Sequence, residues 1–251
     1  MQSIGLKSKK ILGISVTTSP KKEILEEIQK YLEKSPEKPM VIVTPNPEQI
    51  VLAQRDPLFE KILNQADVSL PDGIGLALAM QLKRIPGVEF MEELVKLAAG
   101  RGHTIGLIGG RGNIAVKALE CLKARNSGLK GWAIEPEEKT IEEIGHKITN
   151  TKTRIVFVGL GAPKQEFFIE KLNAPVVAMA VGGSFDMIAG RTPRAPWLVR
   201  GMGLEWFWRL VREPWRWRQL DRRTRHYEVV SPNPGSRGDP RSARDFPRRR
   251  A

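Results

Sequence analysis

Short apolar runs alternate with longer amphipathic segments along most of this chain. The clearest apolar runs read MVIVT, TIGLIGG, RIVFVGLG and PVVAMAVGG, and each ends in glycine or a small polar residue. Each is followed by a segment whose apolar residues recur at helical spacing, which is typical of a helix packed along one face. Strands that alternate with helices predict a parallel sheet covered by helices. We therefore predict an α/β fold, a Rossmann-like parallel sheet flanked by helices.

The first helix is predicted directly after the apolar run ILGISV. Pro20 suits the first turn of a helix, where its missing N–H is not needed, and Ser19 is a typical capping residue. We therefore expect ILGISV to be a strand that leads into a capped helix. The apolar stripe of that helix is predicted to be Ile24, Ile28 and Leu32.

The C-terminal quarter of the chain is far more basic than the rest. Residues 191–251 hold 16 arginines, no lysine and 6 acidic residues, which gives +10 of the total charge of +13. Such an asymmetry predicts an anionic partner for this part of the chain. We divide the chain into an α/β core at 1–193, a helical Arg/Trp-rich appendage at 194–230 and a disordered basic tail at 231–251. The tail has almost nothing to bury.

The appendage can be interpreted in three ways. Tryptophan at headgroup depth with arginine on anionic phosphate is typical of an amphipathic helix on a membrane surface, and we favour this interpretation. The alternatives are ordinary packing onto the core with a solvated basic face, or a contact within a homo-oligomer. The residues at helical spacing are Leu204, Phe207, Trp208 and Val211.

Composition narrows the class of protein further. No apolar run approaches the roughly 20 residues that a membrane-spanning helix needs, and residues 1–10 lack a signal-peptide core. Cys121 is the single cysteine and cannot form an internal disulfide, and the three histidines show no metal-ligand spacing. We expect a cytoplasmic protein that does not cross a membrane and has no protein metal site.

Polar side chains follow several predicted strands, where a doubly wound protein binds its ligands. Thr44 and Asn46 come directly after VIV, in a turn that two prolines would stiffen. Asp72 in PDG is a candidate general base, and Asp186 in GGSFD is a second candidate site residue. The alternatives are that Asn46 caps a helix and that both aspartates are turn or capping residues.

Two glycine-rich turns join predicted strands to helices. Gly109 and Gly110 end TIGLIGG, and the second turn lies in VGLGAPKQE. Backbone N–H groups at such a turn can bind phosphate, but neither turn matches the dinucleotide fingerprint G-x-G-x-x-G. Both interpretations of these glycines, phosphate contact and a simple tight turn, remain possible. Lys164, Gln165 and Glu166 are further candidates, with a solvated first helical turn as the alternative.

Eight motifs occur together in a recognisable order. They are TPNPEQI, LPDGIG, RIPGVEFMEEL, GLIGG, VGLGAPKQE, VGGSFDMIAG, RAP and GLEWFWRLVREPWRW. In this order they resemble the WecG/TagA/CpsF family of glycosyltransferases. The resemblance runs from about residue 11 to residue 223, and eight ordered motifs make it specific although each is weak alone.

The resemblance implies a membrane-associated, inverting glycosyltransferase that works without a D-x-D metal motif or other cofactor. Family members transfer a sugar, typically N-acetylmannosamine from its UDP donor, to a sugar on a polyprenyl diphosphate. The β-1,4-linked product feeds wall teichoic acid, common antigen or capsule assembly. Some relatives use UDP-glucose or UDP-N-acetylmannosaminuronic acid. This chain also has no D-x-D, and the implied location is peripheral at the inner face of the cell membrane.

The resemblance also implies roles for individual residues. Asp72 matches the general base of the family's P-D-G motif, and Thr44 and Asn46 would orient the donor sugar and the acceptor. Arg84 would offset the charge of the diphosphate, and Gln165 would lie near the donor. The remaining implied contacts are those of Asp186 with the nucleoside and of Arg209, Arg216 and Arg223 with a diphosphate of donor or acceptor.

One position departs from the family pattern, because Glu89 stands where the family usually has Asp. If that position contacts a sugar, the donor preference changes, whereas in a structural role the extra methylene matters little. The Arg-rich extension beyond Tyr227 has no family counterpart. We hypothesise that the appendage completes the active site only when it docks on a membrane. The tryptophans that would insert at the interface are Trp206, Trp208, Trp215 and Trp217.

Two other classes of function compete with this interpretation. A nucleic-acid-binding protein would use the basic tail and clustered aromatics, but that function leaves PDG, PKQE and GGSFD unexplained. An NAD-type oxidoreductase would need the glycine fingerprint that is broken here. We therefore expect a UDP-sugar donor, a lipid-linked sugar acceptor and a membrane surface as partners, and no nucleic acid.

Overall fold

The computed structural model describes residues 5–34, 36–135 and 140–192. The strands are β1 (Ser8–Ile11), β2 (Ile14–Thr17), β3 (Met40–Val43), β4 (Val68–Ser69), β5 (Thr104–Gly109), β6 (Lys130–Ile134), β7 (Thr153–Gly159) and β8 (Val177–Ala180). The helices are α1 (Lys21–Glu33), α2 (Pro47–Ala53), α3 (Pro57–Gln65), α4 (Ile74–Met80), α5 (Gly87–Arg101), α6 (Ile114–Arg125), α7 (Ile141–Asn150), α8 (Lys164–Glu170) and α9 (Ser184–Ile188).

Six strands form one sheet in the order β4-β3-β8-β7-β5-β6. Every neighbouring pair in it runs parallel. Parallel strands need a crossover between them, and the amphipathic segments supply it as helices. The prediction of an α/β fold with a parallel sheet flanked by helices is confirmed, and so are the strands predicted from MVIVT, TIGLIGG, RIVFVGLG and PVVAMAVGG.

Helices bury the sheet on both faces. Successive strand residues point to opposite faces, so Phe157 packs in one core cluster while its neighbours Val156 and Val158 pack in another. The first cluster includes residues of α1, α5, α6 and α9, and the second includes residues of α7 and α8. This two-sided burial explains why the central strands read as nearly continuous apolar runs.

The run ILGISV is not a single strand, so that expectation was wrong. Leu12 and Gly13 take positive φ values of 46° and 78° and turn the chain back. As a result β1 and β2 pair as an antiparallel hairpin separate from the main sheet. Ser19 does not cap α1 either, because its hydroxyl oxygen accepts a hydrogen bond from the backbone N–H of Lys7. The predicted stripe of α1 is buried, namely Ile24, Ile28 and Leu32.

The ends of β5 and β7 approach each other through glycine backbones. Gly109 has a φ of 115°, and a Cβ atom on it would lie 2.6 Å from the carbonyl oxygen of Gly159. The chain leaves β5 towards β6 and leaves β7 towards β8, in opposite directions across the sheet. Strand ends that diverge in this way flank a crevice in which doubly wound proteins bind ligands. The close approach of Gly109 to Gly159 and the φ of 80° at Gly110 explain why both turn positions are glycine. Phosphate contact at this turn stays a prediction.

We predict that Gly109→Ala destabilises the protein much more than Gly112→Ala does. Both glycines have positive φ, but a Cβ on Gly112 meets nothing within 4 Å. The Gly112 variant should therefore lose only about 1 kcal/mol of unfolding free energy from the backbone conformation. The Gly109 variant adds a collision with backbone and should lose more than about 3 kcal/mol. Urea denaturation measures both, and equal losses would contradict the close approach.

Tyr31 ties α1 to the opposite, amino-terminal edge of the sheet. Its hydroxyl lies 2.7 Å from the carbonyl oxygen of Lys38 and 3.1 Å from that of Val176, one residue before β8. Burial raises the pKa of Tyr31 to about 12. The phenol ionises near pH 10 in the unfolded chain. The folded state therefore holds the proton more tightly, and its stability falls as the pH rises through this window.

We predict that Tyr31→Phe lowers the free energy of unfolding by about 1 kcal/mol at neutral pH, because it removes a part-buried hydrogen bond. The variant should also lose less stability than the wild type between pH 10 and the folded pKa of about 12. Urea denaturation at neutral pH and inside that window gives both quantities. Identical alkaline losses in the two proteins would show that Tyr31 does not titrate as described.

Candidate active site

Thr44 and Asp72 lie together at the carboxyl ends of neighbouring strands. β3 and β4 pair in parallel up to their last residues, so the loops that follow them start side by side. The Oγ1 of Thr44 donates a hydrogen bond to the carbonyl oxygen of Ala180 at the end of β8, at 3.3 Å. A Cβ atom on Gly87 would lie 3.1 Å from Cγ2 of Thr44 and 3.4 Å from Oδ2 of Asp72. Three loops therefore converge at this edge.

Asp72 is held between a helix N-terminus and a guanidinium group. Its Oδ2 accepts a hydrogen bond from the backbone N–H of Gly87, the first residue of α5, at 3.3 Å. Its Oδ1 lies 3.5 Å from Nη2 of Arg84. Both contacts stabilise the negative charge of the carboxylate. The side chain of Asp72 remains 29% exposed, so a substrate hydroxyl can reach it.

The contacts of Asp72 differ from those of an ordinary turn residue. The helix that follows it directly, α4, begins after Gly73 without any side-chain cap. The carboxylate instead reaches Gly87, which is 15 residues further along the chain. The backbone N–H of Ile85 donates to the carbonyl oxygen of Pro71 and so holds the two segments together. The structure thus brings two of the predicted site residues, Asp72 and Arg84, into one cluster.

Asn46 caps α2, as the alternative interpretation of this residue proposed. Its Oδ1 accepts a hydrogen bond from the backbone N–H of Gln49 at 3.0 Å, and the Oε1 of Gln49 accepts one from the backbone N–H of Asn46 at 3.1 Å. This reciprocal pair is a capping box. Within the part of the chain that the structure describes, the Nδ2 group of Asn46 makes no hydrogen bond, so it can still donate one to a ligand.

Gln165 and Glu166 are buried, so the alternative of a solvated first turn is wrong for both and fits only Lys164. The Oε1 of Gln165 accepts a hydrogen bond from the backbone N–H of Gly182, at 2.9 Å. Its Nε2 donates to Oε1 of Glu166, at 2.8 Å. The amide group of Gln165 therefore binds protein, and it holds the loop that joins β8 to α9.

Asp186 lies in the first turn of α9, beyond that loop. Its carbonyl oxygen accepts hydrogen bonds from the backbone N–H groups of Arg191 and Thr192. Its Oδ1 lies 3.8 Å from Nη1 of Arg191, and 36% of its side chain is exposed. The carboxylate is therefore accessible to a ligand but already faces a cation.

A basic cleft of about 660 Å³ lies beside the turn that follows β5. Three cations are among the residues that line it, Arg111, Lys117 and Arg191. Its volume is within the range of roughly 300–1,000 Å³ that is usual for small-molecule sites. No motif in the sequence links these cations, so the sequence did not predict them. They come together only when α6 packs against α9.

Two further residues that hold the site loops were not predicted. Gln49 follows Asn46 at the capping-box spacing, which is a signal that the sequence does contain. Gly87 occurs in the quoted motif RIPGVEFMEEL, but nothing in the sequence shows that its N–H faces Asp72. Side-chain signals alone could not reveal that backbone contact.

Several predicted contacts fall outside the described residues. These are the contacts of Arg209, Arg216 and Arg223, and the interfacial tryptophans Trp206, Trp208, Trp215 and Trp217. Among the residues that the structure does describe, no helix is long and apolar enough to cross a membrane. The same described residues contain no group of three or more His, Cys, Asp or Glu side chains arranged to hold a metal ion.

The chain is similar to glycosyltransferases over most of its length. The sequence profile of the glycosyl transferase WecG/TagA/CpsF family matches residues 9–225. An N-acetylglucosaminyldiphosphoundecaprenol N-acetyl-beta-D-mannosaminyltransferase of Bacillus spizizenii is 35% identical over 190 residues, which cover 71% of this chain and 74% of that protein. A protein of the same name from Staphylococcus aureus is 30% identical over 226 residues, with 84% and 86% covered. The chain is therefore a transferase that belongs to the WecG/TagA/CpsF family of glycosyltransferases.

Proposed function

We propose that this protein transfers N-acetylmannosamine from a UDP donor to N-acetylglucosamine on a polyprenyl diphosphate, in the assembly of wall teichoic acid or another surface polysaccharide. The names of the two relatives support the transferred sugar and the acceptor. The single observation that carries the proposal is the position of Asp72. It is a charged, accessible carboxylate at the carboxyl edge of a parallel sheet, beside Thr44 and Arg84.

In the proposed reaction Asp72 is the general base. Its carboxylate takes the proton from the attacking hydroxyl of the acceptor sugar. The hydroxyl oxygen bonds to the anomeric carbon of the donor sugar while the bond from that carbon to the UDP oxygen breaks. Direct displacement on the opposite face inverts the configuration at that carbon. Thr44, fixed to the end of β8, orients the two sugars.

The departing UDP carries negative charge that the site must stabilise. In a mechanism without a metal ion, this falls to cationic side chains and backbone N–H groups. Arg84 lies next to the base, and Arg111, Lys117 and Arg191 line the cleft further along the sheet edge. In this proposal Arg84 faces the diphosphate near the reacting carbon and the cleft takes the rest of the donor, with Asp186 beside it.

The separation of β3 and β5 supports one elongated ligand that reaches from Asp72 to the basic cleft. β3 and β5 are separated by β8 and β7 in the sheet. Three strand spacings amount to about 14 Å. A nucleotide diphosphate sugar is an extended molecule, so it can lie along the edge with its sugar near Asp72 and its nucleotide part near the turn after Gly110.

The donor sugar has two alternatives in the same mechanism, glucose and N-acetylmannosaminuronic acid. Glu89, the residue that departs from the family pattern, lies exposed in the first turn of α5, two residues after Gly87. It is therefore on the helix that holds the base, and a contact with the donor sugar would make it a determinant of donor preference.

We predict that Asp72→Asn lowers turnover by about 10²- to 10⁴-fold, because asparagine cannot accept the proton. The assay measures UDP released from UDP-N-acetylmannosamine in the presence of a short-chain polyprenyl-diphosphate N-acetylglucosamine. Release should require both substrates, and the affinity for UDP should stay near the wild-type value. UDP-glucose and UDP-N-acetylmannosaminuronic acid are run in parallel to identify the donor.

The matched control is Asp56→Asn, which makes the same change at the cap of α3, where asparagine caps equally well. It should keep wild-type turnover. An Asp72→Asn protein that is as active as this control would remove Asp72 from the mechanism. No release by the wild type with any of the three donors would refute the proposed reaction.

We further propose that the Arg/Trp-rich appendage binds the membrane surface that holds the acceptor. A protein ending at residue 193 should keep the core but lose turnover with a lipid-linked acceptor in vesicles. The control ends at residue 230 and lacks only the terminal basic tail, and we expect it to stay active. Vesicle flotation and UDP release measure the two effects, and full turnover by the shorter protein would exclude this role.

A further inference from the structure

Three buried side chains form a network between α2 and α8, which we call the Glu166 network, namely Gln49, Gln165 and Glu166. The Oε1 of Glu166 accepts one hydrogen bond from Nε2 of Gln165, at 2.8 Å, and another from Nε2 of Gln49, at 3.3 Å. Glu166 is only 1% exposed. One carboxylate oxygen therefore joins two helices that follow different strands.

Each glutamine of the network also holds a loop at the carboxyl edge of the sheet. The Oε1 of Gln49 accepts from the backbone N–H of Asn46, at 3.1 Å, in the loop after β3. The Oε1 of Gln165 accepts from the backbone N–H of Gly182, at 2.9 Å, in the loop after β8. The network is thus a continuous path of hydrogen bonds between the two loops.

The two loops belong to different parts of the proposed active site. The loop after β3 carries Thr44 and Asn46, beside the base. The loop after β8 leads within four residues from Gly182 to Asp186, on the side of the basic cleft. A shift of one loop against the other would change the position of Thr44, which lies beside the base, relative to the donor.

Joining two helices through a buried carboxylate costs desolvation free energy. An apolar side chain would pack there without the desolvation penalty of a charge. A hydrogen-bonded network is directional, however, and holds one relative geometry where apolar contacts would allow sliding. A transferase with two substrates must hold them in a fixed relative position, because small errors in alignment greatly slow the reaction.

We propose that Glu166 is a positioning residue that fixes the loop after β3 against the loop after β8 through Gln49 and Gln165. The inference rests on the proposed function for its effect on turnover, but its structural part does not. Glu166 itself does not contact substrate in this proposal. It acts through the two amide groups that it binds.

The test is a substitution that breaks the network and leaves the cap of α2 intact. Gln49→Glu keeps a side-chain oxygen for the backbone N–H of Asn46, and glutamate is a usual residue at that position of a capping box. It replaces the amide that faces Glu166 with a second carboxylate.

Two quantities are measured on the full-length protein. Amide hydrogen exchange in the free protein should accelerate in Gln49→Glu both at residues 44–50 and at the distant residues 181–186. The kcat of sugar transfer should fall about ten- to a hundredfold, while the KM for the UDP-sugar stays nearly unchanged.

The matched control is Gln54→Glu, which makes the same substitution on the C-terminal side of α2. Gln54 also donates a side-chain hydrogen bond, in this case to the carbonyl oxygen of Leu12 in the hairpin. This variant should leave exchange at residues 181–186 and kcat as in the wild type. If Gln49→Glu does not fold, Glu166→Asp serves instead, because its shorter carboxylate cannot reach both amides.

The outcomes separate this inference from the proposed reaction. Unchanged exchange at residues 181–186 would overturn the coupling, whatever the activity. Accelerated exchange with unchanged kcat would reduce the network to a purely structural role and overturn the positioning role. A wild type that transfers no sugar refutes the proposed function, while the exchange experiment, which needs no substrate, still decides whether Glu166 couples the loops.

Discussion

A parallel sheet that is buried on both faces is the constraint on which the rest of this protein depends. Because all six strands of the main sheet run in one direction, each delivers the loop that follows it to the same edge. That is why Thr44, Asp72, Gly110 and Gly182, which are spread over about 140 residues of sequence, follow the carboxyl ends of strands at one edge. The helices that cover the faces fix the height and direction at which each loop begins.

The polar groups of this edge divide into those that bind protein and those that face outwards. The oxygen of Asn46 and the whole amide group of Gln165 hold backbone N–H groups or neighbouring side chains. The carboxylates of Asp72 and Asp186 stay partly exposed. A preorganised site needs both kinds, since groups that meet a substrate keep their geometry only if others hold the loops in place.

The sequence predicted four of the six strands of the main sheet, β3, β5, β7 and β8, because two-sided burial makes them nearly pure apolar runs. It did not predict β4, which is two residues long, or β6, which is not fully buried. It failed at ILGISV, where Leu12, an exposed apolar residue, takes a left-handed conformation that no apolar pattern reveals. It predicted Asp72 and Thr44 because they directly follow strands. It could not reveal the N–H of Gly87 or the cations of the cleft, because those contacts depend on how α5, α6 and α9 pack. The burial of Glu166 was missed for a related reason, since a charged residue in the first turn of a helix is usually solvated.

The glycine contact between β5 and β7 limits how this scaffold can diversify. Neither Gly109 nor Gly159 has room for a side chain, so the floor of the crevice between these strands is bare main chain whose shape no substitution can tune. The loops around the crevice, which can vary in length and charge, then have to determine the selectivity among chemically similar ligands. Related proteins that diverge in ligand preference would keep the two glycines and change the surrounding loops.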